Sequence, residues 1–281
     1  MAPALTGFQS SVLAWAPQGW RELPWRRTRD PWAVLVSELM LQQTQAARVV
    51  DKWHAFLCRW PTPAACAASP ASDVVRAWAG LGYNRRALNL HRLAVGVTSS
   101  HGGTLPSDLD GLLALPGVGP YTARAVLAFA FGRDVGVVDT NVARVLSRAY
   151  GSGAPAALQD MADGAVPPGE GWAWNQALLD LGATVCTARA PRCGACPVAG
   201  VCSWRRRGGP DPWARRPVAP RFSGSDRQAR GRLLDALRAG PVADVASACG
   251  LAADGGRAAR IADGLVSDGF AEWRGPALTL C

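Results

Sequence analysis

Cys186-Thr187-Ala188-Arg189-Ala190-Pro191-Arg192-Cys193-Gly194-Ala195-Cys196-Pro197-Val198-Ala199-Gly200-Val201-Cys202 places four cysteines at the spacing C-x6-C-x2-C-x5-C. Four thiolates in so short a stretch can wrap one compact inorganic centre. Zinc ribbons and fingers usually supply two short pairs separated by a longer loop, and this segment has only one short pair. A cubane iron–sulfur cluster accepts four cysteines at irregular short gaps, because its irons point to the corners of a tetrahedron. The reading is therefore a 4Fe-4S cluster held by Cys186, Cys193, Cys196 and Cys202. A zinc knot and a pair of disulfides are the alternatives. Nothing marks the chain as secreted, which counts against disulfides. Cys58, Cys66, Cys249 and Cys281 read as bystanders.

The chain around this motif has 281 residues, nearly half of them hydrophobic, which is enough to bury a substantial core. Met1–Gly19 lacks the basic-then-apolar pattern of a signal segment, and no apolar run nears membrane-spanning length. A cytoplasmic monomer with no membrane partner is expected. The net charge of +9 points to a polyanion. Residues 1–202 hold 17 basic and 13 acidic side chains, whereas 203–232 hold nine arginines against Asp211 and Asp226. The excess thus collects just after the cysteines, where it either tracks phosphates or forms a solvated linker. Lys52 is the single lysine.

Apolar spacing predicts helices over Pro31–Trp60, Ser72–Gly80, Arg85–Ser99, Ser107–Leu115, Pro120–Phe131, Asp139–Tyr150 and Trp172–Gly182. Period-2 segments are nearly absent, so the fold class is all-α. Beyond Asp226, short amphipathic helices precede Phe270–Trp273 and Ala277–Leu280, which read as a hairpin. That order predicts a small winged-helix-like unit.

Leu115-Pro116-Gly117-Val118-Gly119 lies between two predicted helices. Glycines at alternate positions allow φ > 0 and bring backbone N–H groups to a helix start, which makes an anion site suited to a DNA phosphate. With Leu-Pro before it, the segment resembles the helix–hairpin–helix of DNA repair enzymes. Together with the cysteine motif it resembles the endonuclease III superfamily of base-excision glycosylases. Ser37-Glu38-Leu39-Met40-Leu41-Gln42-Gln43-Thr44-Gln45, Leu23-Pro24-Trp25-Arg26 and Gly80-Leu81-Gly82-Tyr83 are similar to motifs of the MutY-type adenine glycosylases within it. The resemblance covers about residues 5–205. It implies a six-helix barrel domain (29–135) carrying the hairpin and an iron–sulfur cluster domain (1–28 with 136–204). An Arg-rich linker (205–225) and the small C-terminal unit (226–281) follow. Duplex DNA with mismatched or oxidised base pairs is the implied partner.

Two carboxyls carry the implied chemistry. Glu38 sits in an apolar helical stretch, where desolvation raises a carboxyl's pKa and suits it to act as a general acid. In the family the matching residue protonates the flipped adenine and helps position water. Asp139 precedes a predicted helix as its N-cap, where N–H donors and the helix terminus favour an anion. That anion can stabilise an oxocarbenium-like sugar or attack it. Asn141 accompanies it, and Thr140 stands where the family usually has glycine. Tyr121 occupies the hairpin position at which strand-cutting members carry a Schiff-base lysine, which implies a monofunctional enzyme. The resemblance also places Trp25, Arg26, Leu41, Gln43, Thr44, Tyr83, Gly117 and Gly119 where the family meets DNA or the extruded base. For Tyr83, core packing is the plainer alternative, and Asn84 follows it where the family usually has a second aromatic.

Typical members carry a large C-terminal domain that inspects 8-oxoguanine, whereas only about 50 residues follow the linker here. Phe222-Ser223-Gly224-Ser225 is a candidate remnant of a reader loop. The expected activity is removal of adenine opposite 8-oxoguanine or guanine. Removal of thymine or uracil opposite guanine, and non-catalytic DNA binding, are the alternatives.

Overall fold

The computed structural model describes residues 4–151, 155–213 and 222–281; part of the Arg-rich linker, 214–221, lies outside the described residues. The helices in chain order are α1 (Ala4–Gly19), α2 (Pro31–Leu41), α3 (Ala46–Arg59), α4 (Pro63–Ala67), α5 (Ala71–Ala77), α6 (Arg85–Ser100), α7 (Leu109–Leu113) and α8 (Pro120–Phe129). They continue with α9 (Thr140–Tyr150), α10 (Pro155–Ala165), α11 (Gly171–Asp180), α12 (Ser203–Arg207), α13 (Asp226–Ala239), α14 (Val245–Cys249) and α15 (Gly255–Ser267). A hairpin, β1 (Ala271–Arg274) and β2 (Ala277–Leu280), is the one sheet among the described residues. None of the described helices is long and apolar enough to cross a membrane.

The chain packs as two units. The first comprises Met1–Glu38, Pro106–Ala114 and Val118–Pro217. Its centre is the packing of α1 on α11, where Phe8 meets Trp174 edge-on at 5.8 Å and Tyr150 at 5.3 Å. Val12, Val142, Leu146, Leu178 and Leu181 complete this core. Each such side chain contributes roughly 1.5–3 kcal/mol by leaving water. A π-turn, Leu181–Val185, carries the chain from α11 to the first cluster cysteine.

The second unit comprises Leu39–Leu105, Leu115–Gly117 and Val218–Cys281. Helix α3 buries Val49, Trp53 and Phe56 on one face, and Phe56 packs at a tilt against Trp60 and edge-on against Trp78. In the tail, α13–α15 pack together and the hairpin covers them, with Ala271 opposite Leu280. Val242 adds a bridge to Leu278. Three helices followed by a hairpin is the winged-helix-like order read from the sequence. Arg238 ties the tail to the α5–α6 turn by donating to the Val75 carbonyl (3.1 Å) and to Asn84 Oδ1 (2.7 Å).

The long helix expected over Pro31–Trp60 is two helices. Asp30 caps the first, its carboxylate accepting from the N–H groups of Trp32 and Ala33. Residues 32–40 are all buried, as expected of a helix apolar all round. The break at 42–45 has a local cause and a tertiary one. Gln42-Gln43-Thr44-Gln45 offers no apolar residue to bury, and Gln43 takes a left-handed φ of 54°. The buried Arg86 then collects the carbonyls the break exposes. It donates to Leu39 O (2.7 Å), Met40 O (2.8 Å) and Gln42 O (2.7 Å) with one nitrogen, and to Leu81 O and Gly82 O with the other. One guanidinium therefore holds both the Gln42–Gln45 turn and the Gly80–Tyr83 turn. Burial pushes its pKa down to about 10. Replacing Arg86 by Met leaves several buried carbonyls unsatisfied, at about 1–3 kcal/mol each. Urea denaturation of Arg86→Met is expected to show a loss of at least ~3 kcal/mol; a loss under ~1 kcal/mol would show that the turns hold without it.

Candidate active site

Glu38 lies near the C-terminal end of α2 with 4% of its surface exposed, and its Oε2 has no hydrogen-bond partner among the described residues. Burial is the dominant effect on its carboxyl. A hydrogen bond donated by the Tyr121 hydroxyl opposes burial, the nearby Asp139 reinforces it, and Arg26 opposes it again. The balance leaves the Glu38 pKa at about 7. Tyr121, in the first turn of α8, is held well above the ordinary phenol range, first by burial and then by Glu38 and Asp139, so it stays neutral.

Asp139 caps α9. Its Oδ1 accepts from the N–H groups of Asn141 (2.8 Å) and Val142 (2.7 Å), and its Oδ2 accepts from Asn141 Nδ2 (2.7 Å). Three N–H donors to one carboxyl suit its ionised form as an acceptor. The Asn141 amide is oriented in turn by the buried Arg144, which donates to its Oδ1 at 2.8 Å. Arg144 also donates to Gly182 O (2.7 Å) and to Cys186 O (2.7 Å). A Cβ on Gly182 would lie 2.7 Å from the Asn141 Cβ and 3.0 Å from its backbone, so glycine is required where the π-turn passes α9.

Arg26 is fixed by a residue that the sequence reading passed over. Asp180, fully buried at the end of α11, accepts from Arg26 Nη1 (2.7 Å) and Nη2 (2.9 Å), and from Arg21 Nε (2.5 Å) and N (3.1 Å). Its legible signal is a lone acid in an apolar helix with no basic residue within four positions. Arg21, Arg86 and Arg144 were also missed, because an arginine committed to a distant carboxylate or to backbone carbonyls has no short sequence motif. Trp25 is buried in the 3-10 turn Pro24–Arg27.

The four cysteines line one cavity, walled by Val145, Leu181, Val185 and Val198. Among the described residues no three ligand side chains close on a single ion position. The cavity brings all four thiols to one place, and a cubane accepts one thiolate at each of its four irons. Arg148, nearly fully buried, donates to Cys186 Sγ (3.3 Å) and to Thr187 O (2.8 Å). Its positive charge suits a centre carrying four thiolates. Asp211 in turn holds Arg148 at 2.6 Å.

The remaining DNA candidates fall elsewhere. Gly117 takes φ +79° and has the Asn89 side chain where a Cβ would sit. Gly119 is extended, contrary to the expectation of two left-handed glycines; Pro120 at the helix start already fixes the turn, and open space beside Gly119 keeps the start of α8 accessible. Thr44 Oγ1 is committed to the turns, donating to Leu81 O and accepting from Arg86. Leu41 is half-buried. Gln43 and Tyr83, in the second unit, are exposed and are the two described non-glycine residues with positive φ. Tyr83 is 40% exposed, so it is not a core residue.

Comparison with known proteins matches residues 36–163 to the HhH-GPD superfamily of base excision DNA repair proteins, and 186–202 to the iron–sulfur binding domain of endonuclease III. An adenine DNA glycosylase of Mycobacterium tuberculosis is 49% identical over 251 residues, 84% of this chain and 82% of that protein. The chain belongs to the HhH-GPD superfamily, in its MutY-type branch. Its cofactor is a 4Fe-4S cluster. A solved thermostable thymine-DNA glycosylase superposes with a TM-score of 0.70 at 32% identity, covering 73% of this chain and 97% of that one. A trapped endonuclease III–DNA covalent intermediate superposes with a TM-score of 0.64 at 25% identity, covering 74% and 99%.

Two outcomes follow from this geometry. Neutralising Asp180 leaves the Arg26 guanidinium uncompensated, which favours ionised Glu38. In Asp180→Asn the Glu38 carboxyl, followed by carbon-13 NMR, is expected to titrate below its value near 7; an unmoved titration would refute the link. Replacing Cys196 by serine is expected to abolish the brown iron–sulfur absorbance of the purified protein, and full retention of the cluster would exclude Cys196 as a ligand.

Proposed function

We propose that this chain is a monofunctional DNA glycosylase of base excision repair, hydrolysing the N-glycosidic bond of adenine mispaired with 8-oxoguanine or guanine. The observation that carries the reading is the meeting of Glu38, Tyr121 and Asp139 in one neighbourhood, with a Glu38 pKa near 7. At neutral pH a group of that pKa is populated in both forms, which suits proton transfer in either direction.

In the proposed reaction, protonated Glu38 gives its proton to the extruded adenine as the C1′–N9 bond breaks. The bonding electrons leave with the base. Asp139 faces the positive charge that develops on the sugar, and Asn141 and the α9 N-terminus hold that carboxylate in place. Water then adds at C1′, and its proton passes to the Glu38 carboxylate, leaving an abasic site. Tyr121 donates a hydrogen bond to Glu38 and remains neutral, so it supplies no amine for a Schiff base. The single lysine, Lys52, lies in α3.

Adenine is favoured over thymine by the 49% identity to an adenine glycosylase against 32% to the thymine enzyme. The division into a cluster domain (1–28 with 136–204) and a helical barrel (29–135) belongs to the same reading, as does a monomer acting on duplex DNA. Trp25 and Arg26 line the adenine pocket, and Gln43 and Tyr83 enter the base stack. The hairpin glycines and the exposed Arg189, Arg192, Arg205, Arg206 and Arg207 meet phosphates, an affinity that salt weakens.

Single-turnover assays on duplexes with A, T or U opposite G or 8-oxoguanine, followed by alkali, test this. Strand breaks at adenine are expected; breaks at thymine alone would overturn the assignment. Glu38→Gln and Asp139→Asn are each expected to slow excision by about 10²–10⁴-fold with duplex binding retained. Because the acid form of Glu38 is required, the rate should fall as pH rises through about 7. Borohydride should trap no adduct.

A further inference from the structure

The Arg-rich stretch beyond Cys202 reads from sequence as a phosphate track or a solvated linker, and the structure gives its first part a further task. Residues 203–213 fold back on the cysteine cavity, whose lining includes Trp204 and Arg205 beside all four thiols. We infer that 203–213 is a strap covering one side of the 4Fe-4S cluster, latched by Asp211 on Arg148, and that it sets how fast oxidants reach the cluster. The inference concerns the cofactor and is independent of which base the protein removes.

Arg148 reaches in from α9 and ties the two sides of the cavity together. It is nearly fully buried, and on the ligand side it donates to Cys186 Sγ (3.3 Å), Thr187 O (2.8 Å) and Ala188 O (3.2 Å). On the strap side its Nε and Nη2 donate to the two oxygens of Asp211, at 3.1 and 2.6 Å. Such a two-point guanidinium–carboxylate pair fixes orientation as well as distance. A buried guanidinium is costly without a counter-charge, and among the described residues Asp211 is the carboxylate that pairs with it. The Trp204 ring lies against the same guanidinium at 5.0 Å.

The strap is shaped for this return. Gly208 and Gly209 take φ of +66° and +89°, which lets the chain turn back directly after α12. The Trp204 indole N–H donates across that turn to Gly209 O (3.3 Å), and Trp213 N donates to Asp211 Oδ1 (2.9 Å). Arg205 Nη1 fastens a second edge by donating to Cys193 O (3.0 Å). One short segment is therefore tied to the first cysteine through Arg148, to the second through Arg205, and to the fourth by direct chain continuity. The shell around a metal centre controls solvent access to it, and here an indole and a satisfied ion pair form part of that shell.

The test uses the full chain purified with its cluster. Hydrogen peroxide is the oxidant, because it is uncharged and its approach is indifferent to a charge removed from the strap. Decay of the brown absorbance is followed beside tryptic cleavage after Arg205, Arg206 and Arg207, which requires the strap to lift. Asp211→Asn and Trp204→Ala are expected to leave the iron content of the fresh protein unchanged. Each should speed both cluster loss and cleavage about tenfold, as loss of one charge-assisted or aromatic contact implies. Trp204→Phe keeps an aromatic cover and should stay within about twofold of the wild type. Unchanged cluster loss in either Asp211→Asn or Trp204→Ala would overturn the inference. Faster loss with unchanged cleavage would overturn it too, because these residues would then act on the cluster's chemistry and not as a cover. So would fresh variants without iron, which would make the pair part of what holds the cluster.

Discussion

Burying a carboxyl without satisfying both its oxygens is costly unless it takes up a proton, and much of the first unit is arranged around that constraint. Helix α2 keeps water from Glu38 by burying the nine residues 32–40. It can do so because the run Trp32–Met40 has one ionisable side chain, Glu38 itself. The Arg26 guanidinium favours the ionised form, and Arg21 stands beside it on Asp180. Asp180 takes up both in one buried four-donor cluster. The same acid thus has its solvation removed by one element and its cationic neighbours balanced by another. Tyr121 satisfies one oxygen while remaining neutral itself.

Asp139 is arranged on the opposite principle. It is supplied with donors, and the donors are themselves held. Arg144 fixes the Asn141 amide and reaches in the same span to Gly182 and Cys186. Loss of order in the cysteine segment would therefore reach the Asp139 cap through one guanidinium. The π-turn matters here because it brings Gly182 so close to Asn141 that a Cβ on it would lie 2.7 Å from the Asn141 Cβ, an approach that any side chain there would block.

What could be read from sequence were features in which a residue's role is local. Asp139 before Thr140-Asn141-Val142 reads as a cap because capping is decided within four residues. The four cysteines read as one centre because they are close in the chain. The break in Pro31–Trp60 was only half legible: the polar run 42–45 is a local hint, but the group that collects the freed carbonyls is Arg86, more than 40 positions away. Asp180 was missed for the same reason: its partners, Arg21 and Arg26, are over 150 residues distant. Buried charge in this protein is paired through tertiary contacts, and sequence spacing carries no trace of those.

Net charge misleads for a related reason. The +9 counts every arginine alike, yet Arg26, Arg86, Arg144 and Arg148 are spent inside the protein on Asp180, on carbonyls and on Cys186. They offer a polyanion nothing. Part of the charge that faces outward lies along the cysteine segment and just beyond it, and some of that is ordered. Arg192 donates to Thr184 O, and Arg205 donates to Cys193 O at 3.0 Å. An arginine held by one carbonyl loses less rotamer freedom when it meets a phosphate than a free one does. A loop wrapped round an inorganic centre therefore does more than fold. It presents cations in fixed positions, and the arginines of the core cannot substitute for them.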